Sequence, residues 1–69
     1  MYYGYALELY DVTERNAILI EKMYCSHNLR RSIANAESEK ARLSGIHGKK
    51  YLIYVRDVYM NQVVYEAMT

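Results

Sequence analysis

The side chains best suited to chemistry are one cysteine and two histidines, Cys25, His27 and His47. A thiolate and two imidazoles bind zinc well, but a structural zinc site typically has four ligands at paired spacings. A carboxylate such as Asp57 would have to complete the set without any surrounding motif. Cys25 and His27 could also act as nucleophile and base, yet no third residue is placed to orient them. We therefore expect no metal site, no catalytic site and no cofactor.

The carboxylates also give no sign of a catalytic site. Glu8, Glu21 and Glu66 are expected on one face of a sheet, where pairing with Lys22 or Arg56, or simple exposure to water, is a commoner role than acid and base catalysis. The chain also contains no nucleophile-elbow, zinc-protease or phosphate-loop motif. The sequence therefore predicts a protein that is not an enzyme.

A glycine-flanked basic loop runs from Gly45 to Lys50 and raises the question of nucleic-acid binding. The comparable loop of KH domains joins two helices, whereas this one is expected to join a helix to a strand. A helix end at Gly45 and a turn at Gly48 are the simpler interpretation. A small nucleic-acid-binding module stays open as an alternative, with its cations gathered near one end and the outer side of the helix. Those cations are Arg30, Arg31, Arg42, Lys49 and Lys50.

An internal repeat indicates the elements that position these residues. Residues 5–12 match residues 51–58, and residues 16–23 match residues 61–68, with a one-residue gap near Arg15. Each copy has the alternation and the turn residues of a β-hairpin. Met60 and Asn61 are expected at the second turn, because Asn tolerates positive φ. The repeat predicts hairpins over about residues 2–24 and about residues 49–68.

A helix is predicted between the hairpins, over about residues 27–44, with Ser26 or Asn28 as its N-cap and Gly45 at its end. At about 100° per residue, an apolar stripe faces the sheet and a polar stripe lies opposite. The apolar stripe is Leu29, Ile33, Ala36 and Leu43, and the polar stripe is Arg31, Asn35, Ser38 and Arg42. The predicted fold is α+β, a ββαββ chain whose four-stranded antiparallel sheet carries the helix on one face. The strand order stays open.

Length and composition bound the class of protein. A chain of 69 residues is expected to form a single domain over 1–69 that buries only about 60% of its unfolded surface, so its stability is marginal. Cys25 is the only cysteine, so no disulfide can form within the chain, and a reducing cytoplasm is the expected setting. The net charge of +1 and the 52% content of hydrophobic residues favour a folded domain without a polyanion-binding tail. No apolar run is long enough to span a membrane.

Period-two alternation assigns the strand residues to two faces of the sheet. The face towards the helix is predicted to hold Leu7, Leu9, Ile18, Ile20, Ile53, Val55, Val63 and Tyr65. The opposite face is predicted to hold Ala6, Glu8, Tyr10, Leu19, Glu21, Met23, Leu52, Tyr54, Arg56, Val64, Glu66 and Met68. That second set is too apolar for an ordinary solvated face, and Tyr, Met and Arg are enriched in protein interfaces.

The candidate partner-binding residues are therefore Tyr10, Tyr54, Arg56, Met23 and Met68. Scattered exposed apolar residues are also normal on protein surfaces, which is the plainer interpretation. A homodimer is a further alternative, built either on the same face or by strand addition at a sheet edge.

The segment Ser32-Ile33-Ala34-Asn35-Ala36-Glu37, in a helix between two hairpins, resembles small phage-encoded proteins of the anti-CRISPR and related anti-defence type. The resemblance covers the architecture of the whole chain and includes no diagnostic motif. It implies a non-enzymatic inhibitor that binds a larger host protein or complex in the host cytoplasm and blocks it sterically. It implies no membrane and no cofactor.

Overall fold

The computed structural model describes residues 4–69. The elements are β1 (Tyr5–Asp11), β2 (Ile18–Ser26), α1 (Leu29–Leu43), β3 (Tyr51–Asp57) and β4 (Gln62–Met68). The four strands form one antiparallel sheet, and α1 packs on one of its faces. The predicted α+β class and the ββαββ order are confirmed. The first residues of the predicted N-terminal hairpin, 2 and 3, lie outside the described residues.

The strand order is β2-β1-β3-β4, so the first strand of each hairpin is central and the second lies at an edge. β1 and β3 pair antiparallel, with Glu8 directly opposite Tyr54. The same two positions are equivalent in the internal repeat, because residues 5–12 match residues 51–58. The repeat therefore folds around a pseudo-two-fold axis that is perpendicular to the sheet and passes through this pair.

The hydrophobic core lies between the two central strands and α1. Leu7 and Leu9 of β1 and Ile53 and Val55 of β3 are each at most 5% exposed. Alternate residues of a strand point to one face, so these four side chains all reach the helix. They pack with Ala36, Leu43 and Tyr51, and with the partly buried Tyr5, Cys25 and Tyr65.

Both ends of α1 are capped by side chains. The Asn28 carboxamide oxygen accepts a hydrogen bond from the Arg31 backbone N–H at 3.0 Å, which confirms Asn28 as the N-cap. At the other end, the backbone N–H and the hydroxyl of Ser44 both donate to the Lys40 carbonyl. Ser44 rather than Gly45 therefore caps the C-terminus, so the role predicted for Gly45 was wrong.

The buried stripe of α1 differs from the predicted one at its start. Ala36 and Leu43 are buried as expected, but Leu29 in the first turn is 39% exposed. The fully buried position in this part of the helix belongs to Ser32, whose hydroxyl has no hydrogen-bond partner within residues 4–69. A small side chain lets the helix approach the sheet closely at this point.

The two predicted turns are confirmed. Asn61 has a φ of 54° between β3 and β4, the left-handed conformation that Asn tolerates. Gly48 has a φ of 78° in the connection between α1 and β3. Both residues therefore occupy positions where most side chains would be strained.

Each edge strand contains a bulge in its interior, and β2 has a second register shift near its end, where Cys25 is the extra residue between Tyr24 and Ser26. In β2, Glu21 lies opposite Leu9 and Leu19 lies opposite Tyr10, so Ile20 is the extra residue. In β4, the extra residue is Val64, because Tyr65 pairs with Val55 and Val63 pairs with Arg56. Strict alternation assigns every second residue of a strand to the same face. An extra residue interrupts this alternation, so the side chains beyond it point to the face opposite the one that alternation predicts.

The face prediction therefore fails on one side of each bulge. Glu21 and Met23 were expected opposite the helix but lie on the helix side, and Val63 shows the reverse error. Ile20 and Val64 occupy the bulges themselves. The predicted faces of the other strand residues agree with the register, including Leu19, Glu66 and Met68.

Candidate functional site

The sheet face opposite α1, called the outer face below, consists of three rows of side chains. Residues directly opposite each other in an antiparallel pair point to the same face, so the strand registers define each row. The apolar row is Leu19, Tyr10, Leu52 and Met68; the charged row is Lys22, Glu8, Tyr54 and Glu66; and the third row is Tyr24, Ala6, Arg56 and Val63.

The apolar row lies towards the end of the sheet where β1 finishes and β3 begins. Leu19 and Met68 stand at its two edges and are 50% and 54% exposed. Tyr10 and Leu52 lie between them and are half-buried. Covering the exposed half of a Leu or Met side chain gains about 1 kcal/mol, so this row favours contact with another molecule.

The charged row is built around the buried carboxylate of Glu8, which is 2% exposed. Arg56 donates from Nε to Oε2 at 2.7 Å and from Nη2 to Oε1 at 3.4 Å. The Tyr10 hydroxyl donates to Oε1 at 3.0 Å, and Lys22 Nζ lies 3.7 Å from Oε2. These contacts join β1, β2 and β3 across the outer face and confirm the expectation that Glu8 pairs with Lys22 and Arg56.

The surroundings of Glu8 keep it ionised. Burial raises the pKa of its carboxyl group, but hydrogen bonds from Arg56 and Tyr10 and the charges of Arg56 and Lys22 outweigh that effect. The pKa of Glu8 therefore lies below its ordinary value of 4.5. Burial and the hydrogen bond to the carboxylate raise the pKa of Tyr10, so its hydroxyl stays a donor. The centre of the outer face is a fixed ionic cluster.

Tyr10 and Tyr54 pack against each other in an edge-to-face pair. Their ring centroids are 5.5 Å apart and the rings are inclined at 68°. Tyr10 is also held by its hydrogen bond to Glu8. Rigid tyrosines lose little conformational entropy on binding, so the pair is a suitable anchor for a protein contact.

The outer face brings together four of the five residues that the sequence proposed for partner binding, namely Tyr10, Tyr54, Arg56 and Met68. Met23 is separate. It pairs with Leu7 and lines a groove of about 420 Å³ between β2 and α1. The predicted placement of Met23 was wrong because the bulge at Ile20 reverses the faces beyond it.

The polar stripe predicted for the helix was also wrong, because most of its residues line the same groove. Asn35, Ser38 and Arg42 line the groove instead of lying opposite the sheet. The Asn35 amide donates to Cys25 Sγ at 3.0 Å. Cys25 is partly buried near the end of β2.

The five cations of the nucleic-acid alternative do not gather near one end. Arg31 and Arg42 lie in the first and last turns of α1, about 16 Å apart along the helix axis. Arg42 Nη2 lies 2.7 Å from Glu39, and Lys49 Nζ lies 3.5 Å from Asp11. The expected cluster was therefore wrong, since its members are split between the helix ends and two are already paired. The five are Arg30, Arg31, Arg42, Lys49 and Lys50.

Cys25 and His27 engage different partners and not each other. Cys25 Sγ accepts from Asn35, while His27 Nδ1 forms a hydrogen bond of 2.6 Å with the Tyr24 hydroxyl. Across residues 4–69, no three His, Cys, Asp or Glu side chains come close enough to share a metal ion. The geometry therefore offers no nucleophile and base pair at this position.

Sequence reasoning did not select four residues that help to define the outer face, namely Leu19, Leu52, Lys22 and Glu66. Leu19, Leu52 and Glu66 were placed on the correct face but were not chosen as candidates. The missing information was the cross-strand register, which depends on the strand order and on both bulges.

Comparisons with known proteins give no match to this chain: no family model fits it, and neither the curated proteins nor the solved structures contain a significant relative. Among residues 4–69, no helix is long and apolar enough to cross a membrane. The functional argument therefore depends on the outer face itself.

Proposed function

We propose that this chain is a non-enzymatic protein-binding protein whose contact surface is the outer face. The observation that carries the proposal is the apolar row, whose two edge residues, Leu19 and Met68, are at least half exposed. Tyr10 of the same row packs edge-to-face against Tyr54 of the neighbouring row. Aromatic anchors next to exposed apolar side chains are typical of interaction surfaces.

The proposed mode of action is steric occlusion of a larger host complex, as the resemblance to small phage inhibitors implies. Its support is the shape of the chain and the chemistry of its surface. The Cα atoms span 39 × 22 × 15 Å, so the protein is a thin slab, and no helix or strand within residues 4–69 packs on its outer face. Such a slab can cover a partner's surface without contributing a reactive group.

Nucleic-acid binding is the competing function, and the positions of the cations favour it less. Phosphate contacts give an affinity that falls steeply with salt, whereas an interface of Tyr, Leu and Met is much less sensitive. Salt dependence of the captured complex therefore separates the two functions.

The test is a tagged pull-down from a bacterial lysate, with nuclease and with a salt series. We compare the wild-type chain with Met68→Glu and with Met60→Glu. Met60 is the matched control because it is 56% exposed but lies in the turn after β3, outside the three rows. We expect a nuclease-resistant protein to be captured by the wild type and by Met60→Glu, and lost with Met68→Glu.

The opposite pattern would overturn the proposal. Capture that vanishes with nuclease would favour nucleic-acid binding through the arginines. Equal capture by both variants, with native circular dichroism spectra, would show that the apolar row is not the contact surface.

A further inference from the structure

The outer face becomes self-complementary under one particular two-fold rotation. The axis lies in the plane of the face, parallel to the strands and between β1 and β3. It places each row over the same row of a second copy, with β2 over β4. Leu19 of one copy then meets Met68 of the other, and Lys22 meets Glu66. Every contact occurs twice, as in any isologous dimer.

The charges at the two edges of the charged row are opposite and available. The Lys22 side chain is 57% exposed, and its one ion pair with another residue of the 4–69 range is the 3.7 Å contact with Glu8. Glu66 is exposed, and none of the ion pairs within residues 4–69 includes it. We propose that the occupant of the outer face is a second copy of this chain, with two Lys22–Glu66 ion pairs flanked by two Leu19–Met68 contacts.

The alternative in-plane axis, perpendicular to the strands, is disfavoured by the same charges. It would place β2 over β2 and β4 over β4, so Lys22 would meet Lys22 and Glu66 would meet Glu66. It would also set the apolar row against the third row, which contains Arg56. Repulsion between like charges disfavours this second arrangement, so the charges at the two edges favour the first axis over the second.

The area of the outer face indicates how tightly the dimer should associate. Four strands span about 19 Å and seven residues about 24 Å, so the footprint is about 450 Å² per copy. Two such faces bury about 900 Å², less than the roughly 1,200–2,000 Å² of a standard stable interface. We therefore expect a reversible dimer that dissociates on dilution, with the two sheets stacked about 10 Å apart.

The decisive test reverses the charges one at a time. In Lys22→Glu, each of the two contacts sets Glu against Glu66, and in Glu66→Lys each sets Lys against Lys22. We expect either change to raise the dimer dissociation constant about tenfold or more, because two attractions become two repulsions. An equimolar mixture of the two variants should recover the wild-type affinity, because every contact in the mixed dimer again pairs Lys with Glu.

Sedimentation velocity over a concentration series measures each species. Glu14→Lys and Lys40→Glu are matched controls, since they make the same charge changes at exposed positions on the β1–β2 loop and on α1. Both controls should leave the dissociation constant unchanged. Circular dichroism checks that each variant is folded, which matters for Lys22→Glu because of its contact with Glu8.

A crosslinking experiment tests the packing without altering charge. In a Cys25→Ser background, Leu19→Cys mixed with Met68→Cys should form a disulfide-linked dimer under mild oxidation. Neither variant should crosslink efficiently alone, because the proposed axis keeps like residues apart. Efficient crosslinking of Leu19→Cys with itself would contradict this axis.

The inference rests on the proposed function, but the two can fail separately. A wild-type chain that stays monomeric throughout the concentration series would overturn the dimer. The protein-binding function would survive that result if Met68→Glu still abolished capture of a foreign protein. A wild-type dimer that is unaffected by either charge reversal would also overturn the proposal.

Discussion

The buried carboxylate of Glu8 supports a direct test of what holds the outer face together. In Glu8→Gln, the side chain keeps its size but loses the charge that Arg56 contacts at 2.7 Å. One carboxylate oxygen becomes an NH2 donor, so either the Arg56 Nε hydrogen bond to Oε2 or the Tyr10 hydrogen bond to Oε1 loses its acceptor. Hydrogen bonds to charged groups contribute about 1.5–3 kcal/mol each. Arg56 is 24% exposed and recovers part of its hydration, so we expect a loss of about 2–3 kcal/mol.

That loss is large for a chain of this length. At about 0.05–0.15 kcal/mol per residue, the whole domain is stable by roughly 3–10 kcal/mol. The midpoint of thermal unfolding should fall by about 4–8 °C for each kcal/mol lost. Urea unfolding followed by circular dichroism measures the free energy directly, in dilute solution where a dimer is dissociated.

Glu66→Gln is the matched control, because it makes the same change in the same row at an exposed side chain. Its free energy of unfolding should change by less than about 0.5 kcal/mol. A loss below about 0.5 kcal/mol in Glu8→Gln as well would refute the view that the ionic cluster stabilises the sheet.

The stabilising effect of Glu8 should depend on pH, and comparison of the wild type with Glu8→Gln measures that dependence. The pKa of Glu8 in the folded chain lies below 4.5, so its stabilising contribution is complete above that pH. As the pH falls through the folded-state pKa, the carboxylate is protonated and the contribution is lost. The stability difference between wild type and Glu8→Gln should therefore be constant above about pH 5 and shrink in acid. An undiminished difference at about pH 2 would contradict this account.

Three further changes test the fold by urea unfolding. Ile53→Ala should cost about 2–5 kcal/mol, because the side chain is fully buried between the sheet and α1; a cost below about 1 kcal/mol would count against that packing. Asn28→Ala should cost about 0.5–2 kcal/mol through loss of the N-cap, and Asn28→Asp should restore most of it. Gly4→Ala should destabilise more than Gly48→Ala: both glycines have positive φ, but only the new Cβ at residue 4 meets the Tyr24 ring, at 2.8 Å. Equal costs at the two glycines would show that the clash is relieved.

Much of the fold could be predicted because the repeat and the helix signals are local. Asn28 and Asn61 each occupy the conformation expected from their side-chain chemistry. The central strands were also assigned correctly, since their alternation is regular and Glu8 pairs with Tyr54 without a bulge. These predictions needed only short-range patterns.

The edge strands could not be predicted in the same way. The bulges fall at Ile20 and Val64, two β-branched residues with none of the glycine signals that mark some bulges. Their positions depend on pairing with a central strand, which is a long-range contact. Met23 was therefore assigned to a partner site although it lies beside α1, and the role of Lys22 on the outer face was missed.

The two hairpins differ in the pairing register of their strands, and this difference has a consequence for the proposed dimer. In the repeat, Glu21 is equivalent to Glu66, and Ile20 is equivalent to Tyr65. Had β2 paired with β1 in the register that β4 keeps with β3, with Leu19 as the extra residue, Glu21 would lie opposite Glu8 on the outer face, as Glu66 lies opposite Tyr54. The proposed two-fold axis would then set Glu21 against Glu66 and repel the second copy. Because β2 is shifted by one residue relative to that register, Lys22 lies opposite Glu8 instead, and the two edges of the charged row carry opposite charges. A one-residue shift in an otherwise repeated chain thus creates the self-complementarity on which the dimer depends.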